Sequence, residues 1–137
     1  MSTFAAHLSI PAATRRSALA GAAALALVAI IHLLDGPGSL EESSAIGLLD
    51  LGLAAAAVPL ALALVVSPVR DAWIAAAALC WVALGFYVAS RTVGLLGMTD
   101  DIGNWFSALG VLNVLSELAV CGLSLWVLRS DRVARGR

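Results

Sequence analysis

The sequence predicts an all-α integral membrane protein folded as a four-helix up-down-up-down bundle, and three observations carry that prediction. Hydrophobic residues make up 61% of the 137 residues and charged residues 12%, and the mean hydropathy is +0.98. A water-soluble domain of this size has too little interior to hide that much apolar surface, so lipid is the expected solvent. Four apolar runs, at 17–34, 45–66, 72–96 and 105–128, approach or exceed the ~20 helical residues needed to cross a hydrocarbon core of about 30 Å. The connections between them are short, which favours antiparallel neighbours. Residues 1–137 are therefore expected to form one four-span domain with no separate soluble part.

The first run follows Arg15 and Arg16 and is rich in Ala and Leu, as a cleaved leader would be. Its apolar stretch is long for such a leader and no A-x-A site follows Leu33, so a retained helix is the expected outcome. Asp35-Gly36-Pro37-Gly38 is predicted to stop that helix. The second run carries Pro59 at its middle, where the carbonyl of Ala55 loses its usual donor, and a kink is expected there. Ser67-Pro68 marks the next turn. The third run starts beside Trp73 and is predicted to reach Leu96. After the loop from Gly97 to Asn104, the fourth opens at Trp105 and closes near Trp126. Trp73 and Trp126 then sit at one membrane interface and Trp105 at the other, with Trp81 deep in its span and expected to be packed.

Charge is sharply divided. All eight basic residues are arginines. With four spans, Arg15, Arg16, Arg70, Arg129, Arg132, Arg135 and Arg137 share one side, while the other side holds Arg91 with Asp35, Glu41, Glu42, Asp100 and Asp101. The positive-inside rule then places both termini in the cytoplasm of a cell whose inner membrane the chain crosses. Outside the tails there is no continuous basic patch, which argues against nucleic acid as a partner. The expected surroundings are membrane lipid and, as open alternatives, a second copy of the chain or a larger membrane complex.

Without a hydrophobic drive between helices in lipid, small residues and polar contacts must bring them together. Each run has a stripe that suits: Gly21, Ala24, Val28, His32 and Asp35; Gly47, Asp50, Ala54, Ala57 and Ala61; Cys80, Leu84, Tyr87 and Arg91; Asn113, Glu117, Cys121 and Ser124. The polar residues share stripes with the small ones and so are predicted to face the bundle interior. Counting along the helices, His32, Asp50, Arg91, Asn113 and Glu117 converge in the outer half, with Asn113 about 12 Å into its span and Glu117 one turn deeper.

Asp50, Arg91, Asn113 and Glu117, together with Tyr87 below Arg91, form the predicted ligand site. Two readings of it stand side by side. Asp50 and Arg91 can be an interhelical ion pair that merely neutralises both charges, and Asn113 and Glu117 can be hydrogen-bonding glue. Alternatively, they bind a proton, a cation or a polar ligand group, the default expectation for ionisable residues inside a membrane. His32 and Asp35 are ligand types a metal would accept, but no HxxxH or ExxH spacing supports a metal centre. A bis-His haem is ruled out by the single membrane histidine, leaving one axial His32 as the only haem ligation open. Cys80 and Cys121 lie at similar depths and read as small buried apolar residues, since no CxxC or Cys/His spacing supports a disulfide or metal pair. There is no nucleophile–base signature, phosphate loop or dinucleotide fingerprint, which points away from an enzyme and names no cofactor.

The segments Ile31-His32-Leu33-Leu34-Asp35-Gly36-Pro37-Gly38 and Ser90-Arg91-Thr92-Val93-Gly94-Leu95, with Asp101-Ile102-Gly103-Asn104-Trp105 and Glu117 after them, resemble an uncharacterised family of small four-span membrane proteins found mainly in high-GC bacteria. The resemblance covers most of the chain and implies the four-span fold, but no activity. That family often has a proline where this chain has Leu96, a departure that puts the geometry of the outer loop in question. In size and span count the chain is also similar to DoxX-type proteins, at the level of fold alone. The leading functional expectation is a small binding or accessory protein with an outward-facing polar pocket. Behind it stand a proton- or ion-coupled transporter acting as a homodimer and a redox, metal or haem subunit of the membrane.

Overall fold

The computed structural model describes residues 12–135. They form four α-helices, α1 (Ala12–Glu42), α2 (Ser44–Val66), α3 (Arg70–Thr92) and α4 (Ala108–Arg135). All four are long and apolar enough to cross a membrane. Each helix packs on two others: α1 on α2 and α4, and α3 on α4 and α2. The ring is closed, with α1 on α2 its most extensive contact and α2 on α3 its slimmest. This is the predicted up-down-up-down bundle, and it divides into two ends. One end holds the α2–α3 turn, the start of α1 and the finish of α4. The other holds the α1–α2 turn and the α3–α4 loop.

The first end is filled. Trp73, Leu25, Leu64, Cys80 and Val120 are fully or almost fully buried there. Gly21 makes room for Trp73, because a Cβ at that position would lie 2.9 Å from two atoms of the indole and 3.2 Å from Leu64. The sequence stripes account for this core: Gly21, Val28, Ala54, Ala57, Cys80, Leu84, Cys121 and Ser124 are all buried. Trp73 is thus a core residue and not the interfacial anchor its position suggested. Around it, Arg15, Arg16, Arg70, Arg129 and Arg132 are exposed, and Arg137 lies outside the described residues.

Several boundaries and placements differ from expectation. The first helix does not stop at Asp35-Gly36-Pro37-Gly38; it runs through Pro37 to Glu42. A proline inside a helix removes one hydrogen bond, but contact with α2 holds the segment in line. Leu51 packs so closely on Gly36 that a Cβ there would lie 2.9 Å from its Cδ2. At about 46 Å, a 31-residue helix outruns the hydrocarbon thickness. The turn to α2 is then a single extended residue, Ser43 (φ −153°, ψ 115°). Gly47 makes that turn possible, since a Cβ there would sit 2.5 Å from the backbone nitrogen of Leu40.

The third helix ends at Thr92, not at Leu96, and the fourth begins at Ala108, not at Trp105. Glycine explains the early stop. Gly94 and Gly97 have φ of +82° and +90°, and Leu95 and Met98 exchange backbone hydrogen bonds of 3.1 and 3.0 Å around a two-residue turn. Trp81 is 63% exposed and not packed. It lies one residue off the buried Cys80–Leu84 stripe, which turns its indole outward by about 100°. Helix α2, by contrast, is unbroken through Pro59.

Candidate functional site

The second end is hollow. A cavity of about 460 Å³ lies there, walled by the last turns of α1, the first turns of α2, the end of α3, the α3–α4 loop and the start of α4. Antiparallel packing brings these segments together, because each helix either finishes or begins at this end. The volume is in the range of small-molecule sites.

On one wall, three helices contribute a linear polar network. His32 on α1 places Nδ1 3.0 Å from Oδ1 of Asp50 on α2. Its Nε2 lies 3.4 Å from Nδ2 of Asn113 on α4. The same Nδ2 donates to Oε1 of Glu117 at 2.9 Å, and His32 Nε2 is 3.7 Å from that oxygen. Because Nδ2 faces a carboxylate, the amide orientation is fixed. One of its hydrogens serves Glu117, and His32 stands between Asp50 on one ring nitrogen and Asn113 on the other. Glu117 is fully buried and does not line the cavity; it stands behind His32 and Asn113. Asn113 Oδ1 and Glu117 Oε2 are buried and have no hydrogen-bond partner.

The opposite wall is built around Arg91. Its guanidinium is ion-paired with Asp101 and lies over the Tyr87 ring, 5.0 Å from the centroid, a stacked arrangement that favours a cation. Tyr87 in turn donates its hydroxyl to the carbonyl of Trp105 at 2.8 Å and meets that indole edge-on at 6.2 Å. Gly103 N–H bonds the carbonyl of Arg91 at 2.9 Å. The loop is therefore pinned to α3 by backbone, charge and ring contacts, and Leu95, Met98, Asp101 and Asn104 from it line the cavity.

Of the predicted site residues, Asp50, Tyr87, Arg91 and Asn113 line one cavity, with Glu117 immediately behind it. The expected Asp50–Arg91 ion pair does not form. Asp50 is held by His32, on the helix that α2 packs against most extensively, and Arg91 by Asp101, which the folded-back loop delivers to it. Asp101 is thus a structural partner, and Asp100 is exposed. His32, placed with these residues from sequence but left out of the ligand set, is the hub of the network. Its place on the Gly21–Asp35 stripe was the available signal, and at 8% exposure it joins two carboxylates. Glu42 and Ser39 were missed because the first helix was expected to stop before them.

No family model, curated protein or solved structure matches the chain. The site is accordingly read from its own chemistry. Among the described residues, no three His, Cys, Asp or Glu side chains are grouped so that they could hold a metal ion, and Asp35 shares the cavity with His32 without bonding it. Cys80 and Cys121 are buried free thiols, the second 3.9 Å from the carbonyl of Ala77. The three motif segments singled out in the sequence all reach the cavity, through His32, Asp35 and Gly38, through Ser90, Arg91 and Leu95, and through Asp101 and Asn104.

Proposed function

We propose that the chain is a membrane-embedded binding protein that takes a small polar molecule or lipid head group into the cavity between His32 and Arg91. The observation that carries this reading is a cavity of about 460 Å³ walled by charged and amide side chains from all four helices. Groups costly to bury in a membrane are retained there, and ionisable residues at such depth mark ligand or ion paths. The convergence of the family-like motifs on the same cavity supports the reading and is the place where membership of the high-GC family would matter. We also propose that both termini are cytoplasmic, in the inner membrane of a bacterial cell. The arginines at the filled end and the carboxylates at the hollow end support this, so that the cavity opens outward.

Native mass spectrometry of the protein released gently from its membrane tests the binding reading. A small polar species should accompany the wild type and be lost from an Asp50→Asn, Tyr87→Phe, Arg91→Gln triple variant that remains folded. Wild type and variant equally bare would overturn it.

A second reading, proton-coupled transport, draws on one observation: Glu117 is reached from the cavity through His32 and Asn113. Counterflow in proteoliposomes that ignores both a pH gradient and Glu117→Gln would exclude it.

A further inference from the structure

We propose that the cavity takes a membrane lipid sideways through the seam between α2 and α3, with the polar head inside and the hydrocarbon chain left in the seam. The inference rests on the binding reading above and names its ligand class and its route. Connectivity sets the seam. Helices α2 and α3 share the slimmest contact of the ring. Three residues, Ser67 to Val69, join them at the filled end, where Leu64 and Trp73 are buried in the common core. Toward the hollow end both helices line the cavity instead. The α1–α2 pair behaves in the opposite way, since its extensive contact runs up to a one-residue turn at the hollow end. The cavity is therefore backed by α1 and least walled between α2 and α3.

Depth places that seam in hydrocarbon. Helices α2 and α3 are 23 residues each, about 35 Å of helix against a hydrocarbon core of about 30 Å, so their ends mark its edges. Leu53 lies nine residues from the start of α2 and Ala83 nine from the end of α3, and both are in the cavity wall. The cavity thus reaches about 14 Å down each side of the seam, close to the middle of the membrane.

The lining is amphipathic in the matching sense. Helices α2 and α3 supply Ile46, Leu49, Leu53, Ala83 and Phe86, whereas α1 supplies only His32, Asp35, Gly38, Ser39 and Glu42. The polar side chains that α2 and α3 add are engaged within the protein: Asp50 with His32, Arg91 with Asp101, Tyr87 with the carbonyl of Trp105 and Ser90 with that of Tyr87. What the two helices leave to a ligand at the seam is apolar surface, which gains from an apolar partner. A wholly polar solute has no group to offer it, and a lipid chain does.

The test uses the full chain in detergent micelles. Its thermal stability is followed against dihexanoyl phospholipids with ethanolamine, choline and glycerol heads, and against the glycerophosphoryl forms of the same heads, which carry no chains. At least one lipid should bind saturably and about tenfold or more tighter than its chain-free head, the gain expected from burying only about two methylene groups. Partition into the micelle is common to every variant, so differences between variants report the site. Ala83→Trp and Leu49→Trp, which plug the seam from α3 and α2, should each weaken that lipid about tenfold or more. Leu49 is half-buried, so its variant is the milder plug should Ala83→Trp fail to fold. Leu115→Trp, on the exposed face of α4, should bind as the wild type does. A chain-free head bound as tightly as its lipid would overturn the inference while leaving a polar binding site intact. Lipid binding unchanged in the plugged variants would overturn the route through the seam. If none of the lipids binds, the lipid assignment falls, and the binding reading is then judged by the small species carried by the protein in native mass spectrometry.

Discussion

Around Trp73 the four helices close on buried apolar side chains, whereas around His32 the same helices stand apart and line a cavity of about 460 Å³. The filled end uses what lipid-borne helices use to associate, namely small residues that let backbones approach and large ones that occupy the space. Gly21 against Trp73 is the clearest instance. The hollow end uses ion pairs and hydrogen bonds instead, while buried polar atoms without a hydrogen-bond partner occur at both ends, Trp73 Nε1 and Ser124 Oγ at the one and Asn113 Oδ1 and Glu117 Oε2 at the other. A bundle built only for stability would fill both ends alike. The contrast separates the end that supplies cohesion from the end proposed to bind a ligand, and each can be perturbed separately.

The largest effect on cohesion should come from Trp73→Ala, at about 3–5 kcal/mol of unfolding free energy, measured by denaturant titration in micelles. Binding in the hollow end should be unchanged in the fraction that stays folded. Gly21→Ala follows, at about 1–3 kcal/mol, because the indole has to shift to admit a methyl group. A Gly21→Ala protein as stable as the wild type would mean that the filled end is looser than described.

A smaller change, of opposite sign, is expected in the α3–α4 loop. Leu96 has φ +50°, which costs a residue with a Cβ about 1–2 kcal/mol. Leu96→Gly should therefore raise the melting temperature slightly. Leu96→Pro should open the turn, since proline holds φ near −65°. Last comes Asp101→Asn, expected to cost no more than about 1 kcal/mol because Asp101 is half exposed. Its clearer signature would be faster hydrogen exchange in the loop between Gly97 and Asn104, with the filled end unaffected.

How far these features were legible in the sequence follows from their physical origin. Span number, antiparallel order and inward stripes come from periodicity and length, which are local, and Asp50, Tyr87, Arg91, Asn113 and Glu117 were placed on one side of the bundle by that means alone. Pairing is not local. Whether Arg91 meets Asp50 or Asp101 depends on a loop folded back by Gly94, Gly97 and Gly103 in left-handed conformations, and a helical stripe contains no trace of it. The extension of α1 through Pro37 was equally hidden, because the contact of Leu51 on Gly36 that supports it comes from another helix. Trp81 is different: its stripe register already turned it outward, and only its depth suggested packing.

The division between a filled end and a hollow polar one is tested most directly by thiol labelling in sealed vesicles. Cysteine would be placed at Ser90 and at Leu49, both in the cavity wall, with the buried Cys80 and Cys121 of the same chain as internal controls. A water-soluble methanethiosulfonate bearing an ammonium group should modify both new thiols, faster than its sulfonate counterpart does, and leave the native pair untouched. Labelling of Ser90→Cys and Leu49→Cys no faster than of Cys80 and Cys121 would contradict a water-filled polar cavity at that end of the bundle.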